Sequence, residues 1–317
     1  MKVTEHIAQA QDTLFTIEIL PPKKGENIDA LFRHIDSLME YQPAFIDVTY
    51  HREEYEYKDL GNGTLKKYVT RKRPGTVGIC AAIQNRYRVD TVPHVICGGF
   101  SQEDTENMLI DLDFLGIQNV LILRGDPVKS ETNFAAHPDG HGYASDLIRQ
   151  VKKMNQGEYL DGSQQEGGTM DFCIGAAGYP EKHFESPNLD TDLGYLKQKV
   201  DAGAEFIVTQ MFFNNQVYFD FVERCRQADI TVPIIPGLKP LATIKHLTIL
   251  PQYFHLDIPE ALSREVGKCA DNKQAREVGV EWCVQQCREL KAAGVPCLHF
   301  YTMSKSELVG KVAAQVF

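Results

Sequence analysis

A (β/α)8 barrel is the fold class that this chain predicts, on three observations. Eight short segments rich in Val, Ile, Leu and Phe are each followed by at least one segment whose apolar residues recur at helical spacing. Such alternation calls for a parallel sheet with right-handed crossovers, and eight units close most naturally into a barrel. The fingerprint of the open alternative, G-x-G-x-x-G after the first strand, is replaced by Pro21-Pro22-Lys23-Lys24. No linker, and no repeat beyond the β/α unit, divides the chain, so residues 1–317 are expected to form a single domain with extra helices.

The first strand, Leu14 to Leu20, is stopped by two prolines, which cannot continue a ladder. It carries Glu18 between Ile17 and Ile19, where a bare charge is costly to bury. The residue must be paired, hydrogen-bonded, protonated or kept at a polar mouth. Ile28, Leu31, Phe32, Ile35, Leu38 and Met39 then mark a helix over 27–41, and Phe45 to His51 is the second strand. Residues 52–76 begin with charged and tyrosine residues and pass through Gly61-Asn62-Gly63, after which a helix is expected from Thr64 to Arg73. Val77 to Ile83 reads as a short strand or a buried helical turn.

The third strand is Val92 to Cys97, and Ser101 caps the next helix with Asp104 three residues on. Strand four, Asn119 to Leu123, leads through a Gly/Asp/His-rich loop to a helix from Tyr143 to Met154. Residues 155–168 read as a surface insertion. Strand five is Asp171 to Ala177, with a helix carrying Leu189, Leu193, Leu196 and Val200 on one face. Strand six, Phe206 to Phe213, precedes a helix from Gln216 to Gln227. Strand seven, Val232 to Gly237, precedes helices over Thr243–Leu250, Pro259–Lys268 and Lys273–Ala293. Strand eight is Cys297 to Thr302, and the last helix runs from Ser306 to Val316.

Composition narrows the function. A net charge of −10 argues against nucleic acid as a partner. Met1 to Gln11 holds no apolar signal region, and no stretch approaches the ~20 apolar residues of a membrane helix. The 8 cysteines lack C-x-x-C spacing, which fits a reducing, cytoplasmic compartment. Barrels of this kind work at the C-terminal ends of their strands. Those ends carry Glu18; Thr49, Tyr50 and His51; His94; Arg124, Gly125 and Asp126; Tyr179 and His183; Gln210; Gly237; and Tyr301. His94, His183 and His299 have no metal-ligand spacing, so no metal is expected. No strand holds a lysine for a Schiff base, and no G-x-S-x-G elbow is present. The residues alone describe a barrel enzyme whose carboxylate-rich mouth binds something aromatic and polar. They do not fix a reaction.

The reaction comes from a resemblance. Glu18-x-x-Pro21-Pro22, Val48-Thr49-Tyr50, Pro93-His94, Leu123-Arg124-Gly125-Asp126, Tyr143-Ala144-Ser145-Asp146-Leu147 and Ala177-Gly178-Tyr179-Pro180-Glu181-x-His183 stand in that order. Lys199 to Ala204, Thr209-Gln210-x-Phe212-Phe213, Ile235-Pro236-Gly237 and His299-Phe300-Tyr301-Thr302 follow. Together they resemble the 5,10-methylenetetrahydrofolate reductases from residue 16 to about 310, in the short bacterial form without the regulatory domain. The resemblance implies an FAD-dependent oxidoreductase acting on CH-NH donors, with NADH or NADPH as co-substrate. Its product would be 5-methyltetrahydrofolate, a methyl source for methionine synthesis.

The resemblance also assigns roles. Glu18 would be the general acid that helps to open the folate ring, and Asp126 the carboxylate near flavin and pterin. Gln210 would hydrogen-bond the pterin edge. Thr49, Tyr50, His94, Arg124, Gly125, Asp126, Tyr143, Ala144, Tyr179, His183, Asp192 and Lys199 would contact FAD, with Arg124, His183 and Lys199 suited to its pyrophosphate. Where relatives carry an Arg for the folate tail this chain has Lys305, which keeps the charge without the bidentate fork. An aromatic that touches the substrates in some relatives aligns with Leu250. A homo-oligomer is the expected assembly. The rival reading is a folate- or flavin-binding subunit that a partner protein supplies with electrons.

Overall fold

The computed structural model describes residues 1–70, 73–128, 131–164, 169–303 and 305–317. In chain order come α1 (Val3–Gln9), β1 (Leu14–Ile19), α2 (Ile28–Asp36), a 3-10 turn (Met39–Tyr41), β2 (Phe45–Val48), β3 (Glu54–Asp59), β4 (Leu65–Thr70) and α3 (Thr76–Tyr87). They are followed by β5 (Asp90–Ile96), α4 (Gln102–Phe114), β6 (Asn119–Leu123), α5 (Ala144–Asn155), β7 (Cys173–Gly178), α6 (Leu189–Asp201), β8 (Phe206–Thr209) and α7 (Asn215–Gln227). The chain closes with β9 (Ile234–Ile235), β10 (Gly237–Leu238), α8 (His246–Phe254), α9 (Glu260–Gly267), α10 (Asn272–Ala292), β11 (Cys297–Tyr301) and α11 (Ser306–Val316). No described helix is long and apolar enough to cross a membrane.

Nine strands make one parallel sheet in the order β10-β11-β1-β2-β5-β6-β7-β8-β9, and its two edges, β9 and β10, are separated in sequence by Pro236 alone. Proline has no N–H to give a ladder, so the expected seventh strand breaks there into two short pieces. Counted as one stave, the two pieces bring the sheet round on itself as a nearly closed barrel.

Alternation along the staves separates two layers. Phe15, Ile17 and Ile19 of β1 pack with Ile46, Val48 and Ile122 against Leu31 and Ile35 of α2 and Leu147, Ile148 and Val151 of α5. Thr16, between them, turns inward to reach His299. The barrel floor is apolar, built from Phe45, Val92, Leu121, Cys173, Phe206 and Ile235, with Val3 of α1 packed beneath. Gly175 makes room for it, because a Cβ there would stand 2.3 Å from the Phe206 ring. Truncating such a buried Phe to Ala costs about 3–5 kcal/mol.

Several elements differ from the sequence expectation. The helix expected from Thr64 is instead the second arm of an antiparallel hairpin, β3 with β4. Gly61 and Gly63 take positive φ of 76° and 77° and reverse the chain, and Tyr55 and Tyr57 alternate with charges as a ribbon requires. Of the two readings of Val77–Ile83, the strand does not form; the buried helical turn does, as part of the longer helix α3. The helix expected over 27–41 ends at Asp36, with a 3-10 turn beyond it. Strand six leaves the ladder at Thr209, where Phe212 turns away to stack on Tyr218 at 5.3 Å. Helix α1 was not anticipated. Residues 71–72 of the expected helix, 129–130 of the expected loop and 165–168 of the expected insertion lie outside the described residues.

Candidate active site

The end of β1 is pinned from β11: Thr302 donates to the Glu18 carbonyl from its backbone N–H (3.2 Å) and its hydroxyl (2.7 Å). In register, Glu18 lies beside Asp47 on one side and Tyr301 on the other. The Tyr301 hydroxyl crosses to donate to the Thr209 carbonyl at 2.5 Å. It passes over Gly237, where a Cβ would meet that carbonyl at 2.3 Å. The side chain of Glu18 therefore stands in a fixed frame with 12% of its surface exposed.

Below it lies a polar layer inside the barrel. His94 Nε2 is 3.6 Å from Glu18 Oε2 and 3.6 Å from Asp47 Oδ2. Asp47 is fully buried, and neither of its oxygens has a hydrogen-bond partner among the described residues. His299 completes the layer, with Nδ1 3.0 Å from the Thr16 hydroxyl. Removal from water dominates the electrostatics here. It pushes Glu18 up to about 7, against the pull of His94 and Lys239 and with the push of Asp47. Asp47 likewise rises to about 7, with His299 opposing. Both histidines are driven down, towards the neutral imidazole. Lys239 falls to about 8, held partly in check by Glu18 and pushed further by Lys305.

Beside this mouth is a cavity of about 600 Å³ between the ends of β6 and β7 and helices α5 and α6. Arg124, Tyr143, Ala144, Tyr179, His183, Asp192 and Lys199 all line it. Lys199 donates to the Ala177 carbonyl at 2.9 Å and lies 5.8 Å from the Tyr179 ring centre. Burial draws its ammonium down to about 8, against Asp192 and together with Arg124. Arg124 grips Glu185 through two hydrogen bonds of 2.6 and 2.8 Å. Asp192 fixes the loop before α6, accepting from the His183 N–H at 3.1 Å and the Ser186 hydroxyl at 2.7 Å. His183 packs edge-on against Tyr179 at 4.7 Å.

The residues singled out from sequence thus fall into groups. Seven share the side cavity, and Glu18 and His94 meet at the mouth. Thr49 is buried with its hydroxyl unpartnered among the described residues, and Tyr50 meets Phe100 edge-on at 5.0 Å. Gly125 takes a φ of +85°, and Asp126 after it is exposed. Gln210 folds back so that Oε1 accepts from the Met211 N–H at 2.9 Å. Lys305 is exposed. Leu250 is 3% exposed, in a satellite core with Met211, Phe213 and Leu241. Sequence reasoning missed Asp47, Lys239 and Glu185. Asp47 carried the same signal as Glu18, a carboxylate between Ile46 and Val48. Lys239, two residues past the Pro236-Gly237 strand end, was legible by the same rule.

Residues 2–316 match the family model described as methylenetetrahydrofolate reductase. "Methylenetetrahydrofolate reductase (NADH) 1" of Zea mays is 32% identical over 317 residues, covering 96% of this chain and 49% of that protein. The chain spans about half the length of this and the other plant and yeast relatives it matches. The 5,10-methylenetetrahydrofolate reductase of Escherichia coli K12 is 29% identical over 312 residues, with 96% of this chain and 92% of that protein covered. A Clostridium thermocellum protein that binds two copies of 5-methyl-5,6,7,8-tetrahydrofolic acid superposes with a TM-score of 0.58 at 14% identity. The match covers 99% of this chain and 98% of that one, and at this identity it shows the fold.

Proposed function

The chain belongs to the methylenetetrahydrofolate reductase family, and from that premise we propose that it reduces 5,10-methylenetetrahydrofolate to 5-methyltetrahydrofolate with a nicotinamide nucleotide as electron donor and FAD as cofactor. The observation that carries this reading is Glu18, a carboxyl in a fixed frame at a barrel mouth and pushed up to about 7 by burial. Such a group keeps a proton to give at neutral pH. The side cavity fits the cofactor: Arg124, His183 and Lys199 bring positive or hydrogen-bonding groups to one wall, and Tyr143 and Tyr179 bring flat rings. An ammonium whose one hydrogen-bond acceptor among the described residues is the Ala177 carbonyl is suited to a phosphate oxygen. FAD, when bound, would supply the hydride carrier between nucleotide and folate.

The residues of the chain do the rest. Glu18 donates its proton to the folate nitrogen whose bond to the bridging carbon breaks, and the bond electrons stay on that nitrogen. The carbon left behind is an iminium cation, and the carboxylate of Asp126 stabilises that charge. Gln210 holds the pterin edge once it leaves the Met211 N–H, and Lys305 meets the glutamate tail. Glu185, which occupies Arg124 here, is the competing anion that a pyrophosphate would displace.

The test is an anaerobic titration of the purified protein. A yellow protein should bleach with NADH or NADPH alone and regain its colour on adding methylenetetrahydrofolate. A protein that holds flavin yet bleaches only with an added electron-transfer protein would replace this reading by that of a partner-fed subunit.

A further inference from the structure

The proton chemistry above uses Glu18 and leaves a buried acid beneath it without a task. Asp47 is fully buried, with both oxygens unpartnered among the described residues. Unpaired buried carboxyl groups are costly, and a protein that keeps one calls for a reason. Asp47 is also the in-register neighbour of Glu18 across β1 and β2. One atom, His94 Nε2, stands 3.6 Å from a carboxyl oxygen of each and has no hydrogen-bond partner of its own among the described residues.

The geometry points to Asp47 as a positioning residue: across His94, its negative charge, once Asp47 is ionised, adds to the hold on the Glu18 proton until the substrate nitrogen takes it. This inference rests on the reading of Glu18 as the acid. The groups that face Glu18 are His94, Lys239, Tyr301 and Asp47, and those that face Asp47 are Glu18, His94, His299, Tyr301, Cys80 and Cys297. Lys239 and any charge on His94 draw the proton off Glu18, and Asp47 is the one carboxylate among the described residues around it that opposes them. Burial is the larger force that keeps the proton on Glu18, and Asp47 adds to it against the ammonium, so its loss lowers the share of Glu18 still protonated when the substrate arrives. After transfer, Glu18 is left as a carboxylate close to a second one, which favours recovery of a proton from water at the mouth.

Asp47→Asn keeps the side-chain size and removes the charge. In stopped-flow on the flavin-loaded protein, the alkaline limb of folate reduction should move down by about one pH unit. Flavin reduction by the nucleotide should keep its rate and pH dependence. A uniform slowing at every pH, with the limb unmoved, would reduce Asp47 to a packing role. The reciprocal measurement needs no change at Asp47. By difference infrared spectroscopy, the protonated-carboxyl band left in Glu18→Gln should titrate at lower pH than the corresponding band of the unmodified protein, because coupling is mutual. A band that titrates at the same pH in both proteins would overturn the proposal. Ordinary folate turnover by Glu18→Gln would instead overturn the reading of Glu18 on which it rests.

Discussion

Asp126 and Lys199 show how differently two functional side chains can be placed. Asp126 follows Gly125, whose φ of +85° turns the chain outward, so its carboxylate stands exposed at the rim. If it acts by charge on the folate cation, Asp126→Asn should slow folate reduction by roughly 10-fold to 1000-fold while leaving flavin reduction near normal. Equal losses in both half-reactions would give it another role. Lys199 lies 5.8 Å from the Tyr179 ring centre, and burial works against its charge more than Asp192 supports it. Lys199→Ala should release flavin on dialysis and remove the thermal stabilisation that added FAD confers, since a ligand bound only to the folded state stabilises it. Retention of full flavin would sink that assignment. At this scale the sequence was legible where a polar residue interrupted an apolar run, as at Glu18. It was silent on Gln210 folding back onto its neighbour Met211, a side-chain rotamer that no pattern of residue types records, and on Glu185 occupying Arg124, which joins segments far apart in the chain.

Among the elements, the β3–β4 hairpin forms a two-stranded sheet apart from the barrel, with both arms largely exposed. Tyr57 is 61% and Leu65 66% exposed, and the contacts within it include Lys67 over the Tyr55 ring at 3.6 Å. Two-stranded ribbons are marginal by themselves. Replacing residues 54–70 by a short flexible turn should therefore move Tm by less than about 4 °C in differential scanning fluorimetry. A loss of 10 °C or more would show that the hairpin belongs to the core. The same weakness explains why its second arm reads as a helix from sequence: no buried stripe imposes period two on Leu65 to Thr70. The helices were legible where a cap and an apolar face agree, as at Ser101 with Asp104. Pro236 was visible, but its consequence, a stave split between the two edges of the sheet, needs the closed barrel to be seen.

For the whole molecule, the alternation of strands and helices was enough for the barrel, because each stave must bury one face outward against helices and one inward. What it did not reveal is that the inner layers change character, from the apolar floor around Phe206 to the acids and imidazoles beneath the mouth. That polar layer has a cost in stability with a definite sign. Glu18 rises from 4.5 to about 7 and Asp47 from 3.8 to about 7 on folding. Between those limits the folded chain binds more protons than the unfolded one, so the contribution of these groups is fully present at low pH and is lost as pH rises through about 7. Glu18→Gln should accordingly raise Tm relative to the unmodified protein at pH 8 and raise it less, or not at all, at pH 5. An equal shift at both would mean that Glu18 is not buried as an acid. The central claim is that one carboxyl at the mouth divides the chemistry into a step that needs its proton and a step that does not. Stopped-flow of the two half-reactions in Glu18→Gln tests this most directly. Flavin reduction by the nucleotide should proceed at a near-normal rate while reduction of methylenetetrahydrofolate is lost, and folate reduction at the ordinary rate in that variant would contradict the account.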